Sequence, residues 1–362
     1  MANGLDDVLA AETVLSDVDG LGGRLTIRGH SLPELAGRWK YAEVVHLLFD
    51  GFFDDFPGDK ELANAIGRAR SEVFGQIEPL LPFLASLDIY SAMRAGIALL
   101  PDGGKLPDAL RLVAAPAVLT PALLRLQRDE SPIAPDSKAD HAADMLRMLT
   151  GIAASPKLAK ALDAYLVTVC DHGLNASTFA TRVVASTQAG LTSAVLAGLG
   201  ALKGPLHGGA PGPVIEMLDA IEAHDDAAGW LRDEIGRGRR IMGFGHRIYR
   251  VRDPRADVLK AVVRQLGAKG EAGHRLAFAE SVEQAALEVL RIAKPSRSLQ
   301  TNVEFFTALL LEAAGFPKEA FTNVFAAGRV AGWIAHAREQ QTSGRLIRPQ
   351  SRYIGPVPDL VA

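Results

Sequence analysis

The twelve residues 158–169, LAKALDAYLVTV, decide the fold class of this chain. Their apolar side chains recur three and four positions apart, which places them on one face of an α-helix. Glu43–Phe49 and Ala142–Leu149 share this spacing, and clusters of glycine and proline such as Pro101–Gly104 separate the apolar segments. The pattern predicts an all-α protein.

One region near the amino terminus departs from the helical pattern. Val14–Gly20 and Arg24–Arg28 flank a glycine-rich turn. Short segments on either side of such a turn are typical of a β-hairpin. We therefore expect one small hairpin ahead of the helices.

The composition is that of an ordinary globular protein. Of its 362 residues 48% are apolar and 22% charged, and this length allows about two domains. A net charge of −3 gives the chain as a whole no electrostatic attraction to nucleic acid or to an anionic membrane. A single cysteine, Cys170, excludes an intrachain disulfide and a cysteine-rich zinc module. It also fits a reducing compartment.

The sequence contains no segment that predicts secretion or a membrane span. Residues 1–7 are acidic and are not followed by an uninterrupted apolar run. The longest apolar run, Leu112–Leu124, contains two prolines and a threonine and is shorter than the roughly 20 residues that cross a bilayer. We expect a cytoplasmic protein without a membrane partner.

Positive charge is concentrated in residues 230–255. This segment holds eight arginines against three acids, a local charge of +5. Within it, Gly243–Arg247 places backbone amides and arginines at one turn, an arrangement that suits phosphate. A solvated basic face and an RNA-binding patch are the alternatives. Aromatic residues are not interleaved through the segment as a single-strand platform requires, so we expect no nucleic-acid partner.

Four stretches combine ionisable side chains with glycine or turn residues. His207 and His246 stand out, because the glycines beside them leave room for a ligand. A lone histidine is more often structural, and no histidine forms an H-E-x-x-H pair or lies near a cysteine pair, so we expect no metal site. The stretches are Asp171–Thr178, Gly204–Ala210, Gly243–Arg250 with Asp253–Arg255, and Asn302–Phe306.

These stretches, in this order and spacing, resemble the citrate synthase family, especially its shorter prokaryotic members. The resemblance also includes Val18–Gly20 followed by Arg28–His30, and it extends from about residue 5 to residue 356. It implies an almost entirely helical homodimer. Residues 1–210 and 317–362 would form a large domain, and residues 211–316 a small domain that closes over a cleft.

Members of this family condense an acyl-CoA with a 2-oxo acid, usually acetyl-CoA with oxaloacetate, and release CoA. The resemblance thus implies an acyltransferase of the tricarboxylic acid cycle. Its partners would be small-molecule substrates, and it would hold no tightly bound cofactor and no metal. Acyl-CoA would be a substrate and CoA a product.

Three residues match the family's catalytic positions. Ionising the methyl group of a thioester requires a base on one side and a donor for the enolate oxygen on the other. By resemblance, Glu304 is the base and His207 is the enolate donor. His246 matches the histidine that polarises the keto group of oxaloacetate.

Further residues match the family's binding positions. His172, Arg255 and Arg329 correspond to oxaloacetate contacts, and Arg348 to a contact that reaches in from the partner subunit. In the turn 241–250, Gly245 and Arg250 correspond to CoA contacts, and Arg297 falls where a basic CoA contact is often found.

The sequence departs from the family pattern at the base. The family normally has Pro-Asn-Val-Asp where this chain has Thr301-Asn302-Val303-Glu304. The extra methylene moves the carboxylate by roughly 1 Å, a displacement that can cost about a hundredfold in rate. The helix carrying Glu304 is then set back, or the enzyme is slow, or it uses another acyl-CoA. Two alternatives therefore stay open. The enzyme could use propionyl-CoA and produce 2-methylcitrate, or the protein could bind CoA or a dicarboxylate without catalysis.

Overall fold

A computed structural model describes residues 8–208, 211–224, 226–267 and 271–356. Helices dominate it, as predicted. In chain order the helices are α1 (Leu32–Leu35), α2 (Tyr41–Phe49), α3 (Asp59–Ile77), α4 (Leu81–Leu84), α5 (Ile89–Ala98), α6 (Leu106–Leu126), α7 (His141–Thr150), α8 (Pro156–Val169), α9 (Ala176–Ala185), α10 (Leu191–Leu202), α11 (Pro211–His224), α12 (Ala227–Gly236), α13 (Pro254–Leu266), α14 (Glu271–Ala293), α15 (Val303–Ala313) and α16 (Phe321–Ser343), with 3₁₀ turns at Glu78–Leu80 and Lys318–Ala320.

Helix α8 shows how local sequence sets these bounds. The hydroxyl of Ser155 accepts a hydrogen bond from the N–H of Leu158 at 3.2 Å, and Pro156 follows in the first turn, so the helix begins two residues before the predicted segment. Its apolar face, which includes Leu162 and Leu166, is buried. The helix ends at Val169, immediately before Cys170 and the stretch that begins at Asp171.

Helix α16 forms the centre of the larger group of helices. It packs against α2, α5, α6, α8, α9 and α10, and nearly all of its length from Phe321 to Gln340 is buried. Helix α6 is long and apolar enough to cross a membrane, but 83% of its most apolar window is buried inside the protein. Prolines 116 and 121 lie within α6.

The predicted hairpin is present. Strands β1 (Ser16–Asp19) and β2 (Arg24–Ile27) pair antiparallel, and a third strand, β3 (His30–Ser31), which the sequence did not predict, pairs with β2. The sheet contacts the stretch Asp171–Thr178 and the stretch Gly243–Arg250. Ser16 Oγ accepts from the N–H of Gly173 at 3.0 Å, and Gly20 O accepts from the N–H of Arg250 at 2.9 Å.

Helices α11 to α15 form a second group that packs mainly on itself, and α13 also contacts α1 and α8. A cavity of about 370 Å³ lies where α13 meets those two helices. The division into domains at residues 210 and 317 stays a prediction.

Candidate active site

A cavity of about 50 Å³ joins two of the predicted catalytic residues. His207 and Glu304 both line it, together with Pro205, Leu206, Arg240, Ile241, Met242, Gly243, Phe244 and Asn302. The larger cavity between α8 and α13 contains none of the predicted site residues. The smaller cavity is therefore the centre of the candidate site.

Backbone pairing brings the His246 turn beside the segment that leads to Glu304. Gly245 N donates to Gln300 O at 2.7 Å, and Asn302 N donates to Gly243 O at 2.9 Å. Both glycines in this turn have positive φ, 82° at Gly243 and 83° at Gly245, which any other residue adopts only at a cost. The two stretches that the sequence singled out thus form one unit.

His246 presents one ring nitrogen towards Arg255. Its Nδ1 accepts hydrogen bonds from the backbone N–H groups of Ile248 and Tyr249, both at 3.0 Å. A neutral ring then carries its proton on Nε2, which lies 3.2 Å from Arg255 Nη2. Burial first, and then the charge of Arg255, lowers the pKa of His246 to about 4. The Nε2 of His246 and the Nη2 of Arg255 thus lie side by side, and a ligand oxygen that displaced their contact could bind both groups.

Arg255 is held by a buried carboxylate. Asp253, which is 1% exposed, accepts from Arg255 Nε at 3.0 Å and from Arg255 Nη2 at 2.8 Å. The same carboxylate accepts from the N–H of Val303 at 3.1 Å. Asp253 thus ties Arg255 to the first residue of α15, one position before Glu304.

His172 lies beside His246. Their ring centroids are 5.5 Å apart, and Tyr249 OH lies 3.2 Å from His172 Nε2. His172 is buried, and burial together with the charge of Arg255 lowers its pKa well below the usual value. A neutral ring in this position can contact a ligand without adding charge.

His207 is oriented by residues from two distant helices. Its Nε2 lies 2.7 Å from Ser177 Oγ, at the start of α9. Trp333 Nε1 of α16 donates to the same oxygen at 3.2 Å. Burial, with the charges of Arg329 and Arg255, lowers the pKa of His207 to about 4. The imidazole is therefore neutral at physiological pH.

Glu304 lies in the first turn of α15. Asn302 caps this helix, and its Oδ1 accepts from the N–H of Glu304 at 3.1 Å. Burial of the carboxyl raises the pKa of Glu304 to about 7, although the nearby charge of Arg255 acts in the opposite direction. A carboxyl with such a pKa exchanges a proton readily near neutral pH.

Arg329 is 1% exposed and has an unused donor. Its Nε donates to Val169 O at 2.5 Å, and its guanidinium lies over the ring of Phe325, 4.8 Å from the centroid. Its Nη2 is buried and has no hydrogen-bond partner among the described residues. Burial lowers the pKa of Arg329 to about 10, so it keeps its charge near neutral pH. A buried cation with an unmet donor suits an anionic ligand.

The other predicted residues do not line the cavity themselves. Arg250, Arg297 and Arg348 are exposed, although the charge of Arg250 still contributes to lowering the pKa of His246. Among the residues that the structure describes, neither Arg297 nor Arg348 bonds to a side chain of the cavity. The CoA role of Arg250, Gly245 and Arg297 and the intersubunit role of Arg348 stay predictions.

Sequence reasoning assigned no role to several residues that the structure places here. Ser177 lies in the stretch Asp171–Thr178, and Tyr249 lies in the stretch Gly243–Arg250. The sequence around Trp333 contains no motif that indicates a role in the site. Arg240 lines the cavity, and its charge acts on Glu304. Part of the local +5 is offset by acids outside the segment, since Arg252 pairs with Asp257 and Glu283.

No group of three or more His, Cys, Asp or Glu side chains suited to a metal ion occurs in the described ranges.

Comparisons with known proteins define the family. A family model described as "Citrate synthase, C-terminal domain" matches residues 4–350. The citrate synthase of Haloferax volcanii is 36% identical over 372 residues, which cover 98% of this chain and 96% of that protein. The chain belongs to the citrate synthase family.

Solved structures agree with that assignment. The citrate synthase of Pyrobaculum aerophilum matches with a TM-score of 0.86 and 33% identity, covering 99% of this chain and 93% of its own. Citrate synthase from the archaeon Thermoplasma acidophilum, solved as a ternary complex with carboxymethyl coenzyme A and oxaloacetate, matches with a TM-score of 0.87 and 28% identity over 98% of this chain and 96% of its own.

Proposed function

We propose that this protein condenses acetyl-CoA with oxaloacetate and water to give citrate and CoA. The observation that carries the proposal is the cavity shared by His207 and Glu304, with Arg255 and Arg329 close enough for their charges to act on these two residues. The family and the ligands in the Thermoplasma acidophilum complex support the same reaction. The chain has a single cysteine, Cys170, and this fits a reducing compartment such as the cytoplasm.

Oxaloacetate would bind to the cationic side of the site. Arg329 Nη2 and the Nη2 of Arg255 offer donors to its carboxylates, and planar guanidinium groups replace the water that a dicarboxylate loses on burial. His172 supplies a neutral contact beside them. The keto oxygen would accept from His246 Nε2.

The condensation then needs one proton removed and one carbon–carbon bond made. The carboxylate of Glu304 takes a proton from the methyl group of acetyl-CoA, and His207 donates a hydrogen bond to the enolate oxygen that develops. The methylene carbon attacks the keto carbon of oxaloacetate, and His246 gives its Nε2 proton to the resulting alkoxide. Water adds to the thioester carbon of the product and returns a proton to His246, and the CoA sulfur leaves with the proton that Glu304 removed.

The surroundings of Ser177 support the donor role of His207. Asn175 Oδ1 lies 2.8 Å from Ser177 Oγ but already accepts from the N–H groups of Ser177 and Thr178, each at 3.1 Å. Since Ser177 Oγ also accepts from Trp333, its own proton is best used on His207 Nε2. His207 then carries its proton on Nδ1, where it can bond the enolate.

The preferred acyl-CoA substrate can be determined by measuring CoA release with a thiol reagent. Acetyl-CoA and propionyl-CoA are each tested with oxaloacetate. Cys170 is fully buried and burial raises its thiol pKa, so the protein adds little background. We expect a larger kcat/KM with acetyl-CoA. Equal or greater efficiency with propionyl-CoA would assign 2-methylcitrate synthesis instead. Binding of both substrates without CoA release would indicate a non-catalytic sensor.

We also propose a homodimer in which Arg348 of the partner subunit completes the carboxylate contacts. Arg348 lies in the exposed segment after α16, a position from which it could contact the active site of a partner subunit. Glu304→Gln and Arg348→Leu should each abolish most activity. Mixing and reassembling the two variants should restore it, because one site of each mixed dimer then has both native residues. No restoration in confirmed mixed dimers would contradict the intersubunit role.

A further inference from the structure

Glu283, on α14, is a buried carboxylate outside the cavity. It is 2% exposed and binds groups from three other parts of the chain. Its Oε1 accepts from Thr301 Oγ1 at 2.7 Å and lies 3.0 Å from Arg252 Nη2, and its Oε2 accepts from Lys260 Nζ at 2.6 Å. The Glu283 carboxylate therefore binds two cationic side chains and one hydroxyl, and these contacts restrain Thr301, Arg252 and Lys260.

Thr301 connects this cluster to the active-site segment. It is fully buried, its hydroxyl also accepts from Arg252 Nη1 at 3.2 Å, and its backbone forms a β-bridge with Phe244. Thr301 is three residues before Glu304. Thr301 is thus two peptide units from Val303, the first residue of α15.

A second carboxylate holds the same segment from the other side. Asp253 accepts from the N–H of Val303 at 3.1 Å. The segment 301–303 is thus held at two points. Glu283 binds the side chain of Thr301, and Asp253 binds the backbone N–H of Val303.

We propose that Glu283 is a positioning residue for the condensation and acts through the Thr301 hydroxyl to fix the depth at which the Glu304 carboxylate enters the cavity. The inference rests on the function proposed above. A glutamate reaches one methylene further than an aspartate, so its backbone must be held at a matching distance. A proline at position 301, as in the family pattern, has no hydroxyl to bind Glu283. In this chain the hydroxyl of Thr301 supplies the contact through which Glu283 holds the segment.

The test compares Thr301→Val with Thr301→Ser. Valine keeps the shape but removes the hydroxyl, whereas serine retains it. We expect Thr301→Val to lower kcat about tenfold to a hundredfold, in line with a displacement of up to ~1 Å, and to leave the Kd of oxaloacetate within about twofold. Thr301→Ser should stay within about threefold of the wild type in kcat. Wild-type kcat in Thr301→Val, or an equal loss in both variants, would overturn the inference.

A double-mutant cycle with Glu304→Asp separates positioning from simple stability. In the wild-type background the shorter carboxylate should lower kcat about a hundredfold, since the backbone is set for glutamate. In the Thr301→Val background the additional loss should be at least threefold smaller, because the segment can move. Multiplicative losses would contradict coupling between the two positions. If Thr301→Val does not fold, Thr301→Ala takes its place in the cycle.

The wild-type enzyme separates this inference from the proposed function. Absence of CoA release by the wild type would refute the proposed function and the inference that rests on it. Normal release, with no effect of the Thr301 variants, would refute the inference alone.

Discussion

Two buried arginines of this protein, Arg70 and Arg329, are each 1% exposed but differ in what surrounds them. Arg70 donates to Asp144 at 2.9 Å and to the carbonyl oxygens of Asp136 and Ala139 at 2.9 and 2.7 Å. Arg329 makes one hydrogen bond, to Val169 O, and its buried Nη2 has no partner in the described part of the chain.

Under the proposed function, this difference separates an arginine that maintains the fold from an arginine that binds a ligand. A buried charge is costly unless its donors and its charge are both matched. Around Arg70 they are matched, since Asp144 is fully buried with it and also binds Arg147 at 2.7 Å. Around Arg329 the match is incomplete: the buried carboxylate of Asp171 acts on its charge, but Nη2 has no acceptor among the described residues, and an anion with acceptor oxygens would supply one. Oxaloacetate, in the proposed reaction, is that anion.

The largest effect is expected when Arg329 is removed. Arg329→Leu should lower kcat/KM for oxaloacetate by about a thousandfold, because truncating one partner of a buried charged pair costs about 2–5 kcal/mol. Thermal unfolding without substrate should occur at the wild-type temperature or above, since a poorly matched charge has been removed. Steady-state kinetics and melting curves check both expectations. A strongly destabilised Arg329→Leu with near-normal kinetics would place it in the same class as Arg70.

Arg70→Leu should give the opposite result. Loss of the guanidinium leaves Asp144 in the interior with Arg147 as its remaining cation, and we expect the free energy of unfolding to fall by ~3 kcal/mol. At a temperature where the variant is folded, kcat and the KM of oxaloacetate should stay within about twofold of the wild type. Denaturant titration and kinetics at that temperature measure the two quantities. A large change in KM without a change in stability would reverse the assignment.

The smallest effect is the pH dependence. Burial raises the pKa of Glu304 to about 7, so kcat/KM for acetyl-CoA should rise about tenfold per pH unit below that value and level off above it. His207 and His246, with pKa values of about 4, stay neutral above pH 5 and add no inflection there. Folding favours the protonated carboxyl, so the wild type should lose stability relative to Glu304→Gln as pH rises from about 4.5 to 7. A flat rate profile between pH 6 and 8 would contradict the role of Glu304.

The sequence predicted the helical fold and the hairpin, and it selected the stretches that the fold brings together at the candidate site. Spacing carries the helical signal, and the bounds of α8 differ from the prediction only because capping by Ser155 extends the helix. β3 was not predicted because it has only two residues and depends on pairing with β2.

The surroundings of the predicted residues could not be obtained from the sequence. Trp333 and Ser177 are 156 positions apart, and only the packing of α16 on α9 brings them together. The family resemblance assigned Arg329 an oxaloacetate contact, but spacing and composition do not distinguish it from Arg70, because the difference lies in which carbonyl and carboxylate oxygens the fold places nearby. Glu283 likewise resembles other helix glutamates until its burial and three partners are known.

The most direct test of the account is a crystal structure of the protein with oxaloacetate and a non-reactive thioether analogue of acetyl-CoA. The quantity to measure is the distance from the nearest Glu304 carboxylate oxygen to the carbon that replaces the acetyl methyl group. We predict roughly 3–3.5 Å, the separation of reacting atoms in a productive complex, with Arg329 Nη2 bonded to an oxaloacetate carboxylate. A Glu304 carboxylate turned away from that carbon, or an Arg329 still without a partner, would contradict the account.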